Sequence, residues 1–334
     1  MYRKFMVDSV SYWAEEYKLD GFRFDLMGLH DLETMRQIEA AVHAINPDAL
    51  IYGEGWTMGS TIDGSAQANQ TQIDKIKPSQ GAAGAVAVFN DAIRDGLKGS
   101  VFQATSKGYI NGNYKGTAQN VKFGIAGGSI SGPGWRVSKN GVINYMSAHD
   151  NNTLWDKLAM ANPDNTVEER LAMNRLGAAI VMISQGTPFW QAGEEMLRSK
   201  PKGDGTFDEN SYKSSDAINN IDWEVLVPGS IQYDMMQYYK GLIAMRKAFS
   251  MFTAQSGIAV SFQDLPGGGM IVTFDNHMGG FAKVVINPTE KAETFQLTGE
   301  WKLVADGTQA GSETIRVDTG DVQIPARSVL VYVK

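Results

Sequence analysis

Apolar residues recur at helical spacing over Tyr2, Phe5, Met6, Ser9, Val10, Trp13 and Tyr17, and again over Leu32, Met35, Ile38, Val42 and Ile45. These stretches predict amphipathic helices with one face toward a core. The first begins with no capping residue before it, while Asp31 stands where the second needs an N-cap and Asn46-Pro47 ends it. His30 beside Asp31 reads more readily as part of that helix start than as a catalytic group. Between the helices, Asp20 to Leu26 alternates with period two. Gly21, Arg23 and Asp25 fall on one strand face, and Phe22, Phe24 and Leu26 on the other. Two further apolar runs end on carboxylates, Leu50–Glu54 and Val142–Asp150. Ala85–Phe89 adds a buried strand that Asn90–Ser100 continues as a short helix. Glu168–Ser184 is an apolar helix with Gly186 as its C-cap, Thr187–Gln191 a last strand, and Ile231–Phe249 an amphipathic helix.

Strands alternating with helices predict an α/β domain with parallel strands, whose C-terminal ends converge on one rim. Asp25, Glu54 and Asp150 are expected on that rim. A charge on a strand flanked by helices needs a partner, so Arg23 and Asp25 must answer to each other or to a ligand. A structural ion pair at a strand end and a catalytic pair both satisfy that demand. Residues 57–84 and 101–140 are rich in Gly and polar residues and read as rim insertions that shape access, without chemistry of their own. Around Ser250–Gly257 the period switches to two. Ile271–Phe274, Phe281–Ile286, Thr294–Leu297, Trp301–Val304 and Ser328–Val333 then predict a small antiparallel sandwich packed on the barrel. The expected domains are residues 1–250 and 251–334.

The chain has 334 residues, 43% of them hydrophobic and 20% charged, enough for a large core. A net charge of −7 argues against nucleic acid and anionic membrane partners, which call for basic patches. No apolar run is long enough to span a bilayer. With no cysteine there are no disulfides or thiolate metal sites, and the compartment stays open. The four histidines, at 30, 43, 149 and 277, have no metal-ligand spacing. Asp204, Asp208, Glu209 and Asn210 do not follow the EF-hand pattern, and a solvated loop is the better reading. Nucleophile-elbow, P-loop and dinucleotide fingerprints are absent.

Gly21-Phe22-Arg23-Phe24-Asp25, Gly53-Glu54-Gly55-Trp56 and Ser147-Ala148-His149-Asp150-Asn151 resemble three signature regions of the α-amylase superfamily of glycoside hydrolases. Asp25-Leu26-Met27-Gly28, the run His149 to Asp156, and Gln191-Ala192-Gly193-Glu194-Glu195 are more closely similar to type I pullulanases, which debranch α-1,6-linked glucans. The likeness runs from Tyr2 to about Trp223. The family's first signature region has no counterpart upstream of Asp25.

The resemblance implies the later part of a (β/α)8 barrel followed by a β domain, an incomplete barrel with open edges at Asp20–Asp25 and Thr187–Gln191. It implies retaining hydrolysis, with Asp25 as nucleophile, Glu54 as acid and then base, and Asp150 stabilising the transition state. Arg23 would keep Asp25 ionised and oriented, and it counts among the substrate-binding residues. Tyr52 and Trp56 would give Glu54 the apolar surroundings that suit a proton donor. His149, Trp56, Leu26 and Asn151 would contact sugar, although core packing explains Trp56 equally well. No cofactor is required, a structural calcium is left open, and the expected partners are an α-glucan and an upstream half of the same enzyme. The chain alone is expected to be inactive or weakly active. The alternatives are an α-1,4-acting amylase or neopullulanase, and a non-catalytic glucan-binding fragment.

Overall fold

The computed structural model describes residues 1–59, 62–82, 84–138, 141–253, 257–277 and 281–334. Residues within the insertions expected at 57–84 and 101–140, and within the switch around 250–257, therefore lie partly outside the described residues. The chain divides into two compact units, the first made of 1–90, 126–144 and 185–187, and the second of 91–125, 145–184 and 188–334.

The first unit is built on a parallel sheet. Its elements are α1 (Tyr2–Glu16), β1 (Gly21–Phe24), α2 (Leu32–Ile45), β2 (Leu50–Gly53), β3 (Val86–Phe89), β4 (Val142–Asn144) and β5 (Thr187–Pro188), whose Pro188 falls in the second unit. The strand order is β1-β2-β3-β4-β5, so β1 and β5 are the edges of an open sheet, the incomplete barrel expected from the sequence. Register pairs Phe22 with Ile51, Ile51 with Val86, and Val88 with Val142. Asp31 caps α2 by accepting from the Thr34 N–H, as its place before the apolar stripe predicts. Met35, Ile38 and Val42 are fully buried, each contributing about 1.5–3 kcal/mol. In α1 only Val10 and Ala14 are buried, whereas Tyr2, Phe5, Trp13 and Tyr17 of its expected inner face are exposed. Strand β3 is buried throughout, and β1, with one neighbour, is half-buried.

The second unit joins helices to an antiparallel sheet. Helices α3 (Asp91–Lys98), α4 (Ala118–Ile125), α5 (Leu154–Ala161), α6 (Val167–Ile183), the short α7 (Asp216–Asn219) and α8 (Ile231–Ala248) precede six strands. These are β6 (Ala259–Asp264), β7 (Met270–Asp275), β8 (Phe281–Asn287), β9 (Glu293–Ala305), β10 (Arg316–Ile324) and β11 (Ser328–Val333), in the order β10-β9-β11-β8-β7-β6. Helix α6 starts in a full capping box, Thr166 with Glu169, and from Leu171 onward most of its residues are buried inside the unit. Alternation along β11 serves two cores. Val329, Val331 and Val333 join the helices, while Leu330 and Tyr332 pack with Phe295, Leu297, Trp301 and Val322 on the opposite face. The expected strands 294–297 and 301–304 are one continuous strand, β9, and β6, β10 and α4 add to the elements read from the sequence.

Candidate active site

The parallel sheet places two carboxylates one residue beyond two adjacent strand ends, Asp25 after β1 and Glu54 after β2. Arg23, on β1, reaches both. Its Nη1 donates to Asp25 Oδ1 at 2.5 Å, and its Nη2 lies 2.9 Å from Glu54 Oε1. The other oxygen of Glu54 accepts the backbone N–H of Leu26 at 2.9 Å. Leu26 takes a left-handed backbone, φ 45°, which turns the chain out of the strand and aims that N–H at Glu54. The two strand ends are also tied through the backbone, Glu54 N–H to the Phe24 carbonyl and Gly28 N–H to the Glu54 carbonyl. Gly28 is required here, because a methyl in its place would stand 2.0 Å from the Trp56 carbonyl oxygen.

Accessibility separates the two acids. The Asp25 side chain is 72% exposed and that of Glu54 only 10%. An exposed carboxylate can approach a carbon atom of a bound molecule, and an enclosed one can exchange a proton with little competition from water. Trp56 and Tyr52 are half-buried, and Tyr52 meets Phe89 edge to face with ring centroids 5.5 Å apart.

Asp150 belongs to the second unit, and here the expectation of a carboxylate directly at a strand end is corrected. Strand β4 stops at Asn144, six residues short of Asp150. Asn144, the last residue of the strand, donates its side-chain amide to the Gln185 carbonyl, and the chain continues as irregular backbone. Met146 and Ser147 remain buried, while His149 and Asp150 are exposed, with His149 Nε2 3.7 Å from Asp150 Oδ1. Asn151 has φ 64°, turning the chain toward Thr153, which caps α5. Farther on, Asp204 accepts from Thr206 and Asp208 from Ser214 and the Asn210 N–H, so these carboxylates are engaged within their own loop. Among the described residues no group of three or more His, Cys, Asp or Glu side chains could hold a metal ion, and no helix is long and apolar enough to cross a membrane.

No family model matches the chain. The pullulanase of Bacillus subtilis (strain 168) is 36% identical over 262 residues, covering 77% of this chain and 34% of that protein. Pullulanase A of Streptococcus pneumoniae is 30% identical, covering 93% of this chain and 28% of that protein. Among solved structures, the pullulanase from Bacillus acidopullulyticus superposes with a TM-score of 0.88 at 34% identity, over 99% of this chain and 40% of that one. The pullulanase from Paenibacillus barengoltzii in complex with maltohexaose and α-cyclodextrin gives 0.85 at 34% identity, over 99% of this chain and 50% of that one. The chain is a relative of the pullulanases. It spans about a third of the length of the curated relatives it matches.

Several polar groups set into this pullulanase-like fold escaped the sequence reading. Asn90 and Asn144 follow and end two apolar strands, and both are buried. Asn90 Nδ2 donates to Asn144 Oδ1 at 2.8 Å, and Asn144 Nδ2 to the Gln185 carbonyl at 2.7 Å, a ladder across the strand ends of the first unit. In the second unit, Glu194 is 5% exposed and accepts from Ser147 Oγ on one oxygen and from Tyr239 at 2.8 Å on the other. Tyr239 in turn accepts from Asn174 Nδ2 at 3.1 Å. Burial pushes the Glu194 carboxyl up to about 7, against the opposing pull of Ser147, Tyr239 and Lys98. The wholly buried Lys98 is driven down to about 7 by the same loss of water, with Arg94 adding to it. The ammonium of Lys157 sits among three carbonyls, those of Ser100, Gln103 and Ala104, and the Ser106 hydroxyl.

Proposed function

We propose that the chain carries the reacting carboxylates of a retaining glycoside hydrolase that cleaves α-1,6-glucosidic branch linkages in pullulan, starch or glycogen-type glucans. The observation that carries this reading is the single guanidinium of Arg23 bonded to both Asp25 and Glu54. A shared cation lets two carboxylates stand on adjacent strand ends without the repulsion that would otherwise part them. Its planar fork also fixes the direction of each.

In the first step an oxygen of Asp25 attacks the anomeric carbon as the glycosidic C–O bond breaks, and Glu54 delivers a proton to the departing oxygen. In the second, Glu54 takes a proton from water, whose oxygen attacks the same carbon and releases Asp25. Asp150 and His149 hold sugar hydroxyls and offset the positive charge of the transition state. Trp56 stacks on a pyranose, while Leu26 and Asn151 line the sugar path. Residues 1–250 supply the barrel part and 251–334 a β domain, consistent with the end of α8 at Ala248 and the start of β6 at Ala259. Because the parallel sheet has two open edges, turnover by this chain alone is absent or weak. The relatives' complexes with maltohexaose, maltotetraose and maltotriose support an α-glucan as the ligand class. Pullulan offered beside linear amylose tests the linkage: reducing ends released from pullulan and not from amylose agree with the proposal, and the reverse favours an α-1,4-acting amylase.

A further inference from the structure

The segment Gln191-Ala192-Gly193-Glu194-Glu195 has two consecutive carboxylates with opposite fates. Glu195 turns outward onto its own loop, where one oxygen accepts from Trp190 Nε1 at 3.2 Å and from the Gly193 N–H at 3.1 Å. Glu194 turns inward, into a core where an unpaired polar group would cost several kcal/mol. Closing this loop requires only one of the two. Glu194 is bonded instead to Ser147, three residues before Asp150 and two before His149, and to Tyr239 on α8. The exposed His149-Asp150 tip therefore hangs from a buried anchor whose other side is a helix, itself braced by Asn174 on α6.

We infer that Glu194 is a positioning residue: with Tyr239 it fixes Ser147, and through Ser147 it sets where the side chains of His149 and Asp150 stand. The inference rests on the proposed reading of Asp150, but its geometry does not. Irregular backbone has no ladder of its own to hold a side chain within the fraction of an ångström that sugar contacts need. Here a buried carboxyl group bonded on both sides, to Ser147 and to Tyr239, supplies the missing restraint. No proton or bond is exchanged with substrate by Glu194.

The test uses the full chain labelled with 13C-histidine, whose four imidazoles at 30, 43, 149 and 277 give four separate signals. Glu194→Ala and Ser147→Ala are each expected to shift or broaden the His149 signal while those of His30 and His43 stay in place. Glu194→Gln keeps an acceptor for Tyr239 and a group that bonds Ser147, and it restores the wild-type His149 signal. On pullulan, Glu194→Ala should lower kcat about tenfold or more with KM little changed, and Glu194→Gln should stay near wild type. If Glu194→Ala moves all four signals it has lost its fold, and Ser147→Ala decides. An unmoved His149 in folded Ser147→Ala overturns the inference. The imidazole signals need no turnover, so a failed glucan reading leaves this result standing.

Discussion

Replacing Glu194 by Gln should make the protein's stability less dependent on pH, and the structure gives the sign and the size. In the folded chain the carboxyl is pushed up to about 7 from its ordinary 4.5 by burial. Between those two values the native protein keeps a proton that the unfolded chain has released. The stabilisation is therefore complete below about 4.5 and is lost as pH rises through about 7. At about 1.4 kcal/mol for each pH unit, the gap amounts to about 3 kcal/mol. Lys98 acts in a different window. Its folded value of about 7 against the ordinary 10.5 means that its cost is present below 7 and is relieved as pH climbs above it. The slope between pH 5 and 6.5 is thus left to Glu194 and to groups common to both proteins. Urea unfolding of wild type and Glu194→Gln at pH 5, 6, 7 and 8 measures the difference. The variant should gain on wild type by about 3 kcal/mol in total as the carboxyl ionises. A difference that is the same at every pH would refute the reasoning, because it would mean that Glu194 is ionised or protonated throughout.

Gly28→Ala should destabilise the chain by about 2–3 kcal/mol, read from urea midpoints, and weaken any pullulan hydrolysis further than stability alone explains, since the added methyl pushes Trp56 away from Glu54. Lys157→Met should cost about 2–3 kcal/mol, because it removes the ammonium shared by the carbonyls of Ser100, Gln103 and Ala104 and leaves Ser106 and backbone N–H groups to serve the first two. Hydrogen exchange should show the loss concentrated in residues 100–106 and in α5.

The parts of the fold legible in the sequence were those whose signal is local. Period-two alternation put Arg23 and Asp25 on one strand face, and the structure joins them. The Asp31 cap and the stripe of Met35, Ile38 and Val42 were equally readable, because a helix start and its buried face are written within fifteen residues. Strand β10 was not, since Arg316–Ile324 is mostly exposed and carries Gly320 where its register with β9 shifts. The polar tie at the end of β4 was hidden because Asn144 bonds Gln185, far away in the chain. Burial of Glu194 was hidden for the same reason, as Ser147 and Tyr239 each lie more than forty residues from it. The inward face expected for α1 was overturned in the opposite sense. Periodicity shows that a helix has an apolar side, and only packing shows whether anything covers it.

The claim that Asp25 and Glu54 carry the reaction is tested most directly by reducing-end release from pullulan at high protein concentration, comparing wild type, Asp25→Asn and Glu54→Gln. Circular dichroism on the same samples shows that each is folded. Slow release by the wild type that disappears in both variants is the predicted result. Equal, measurable release from all three folded proteins would contradict it.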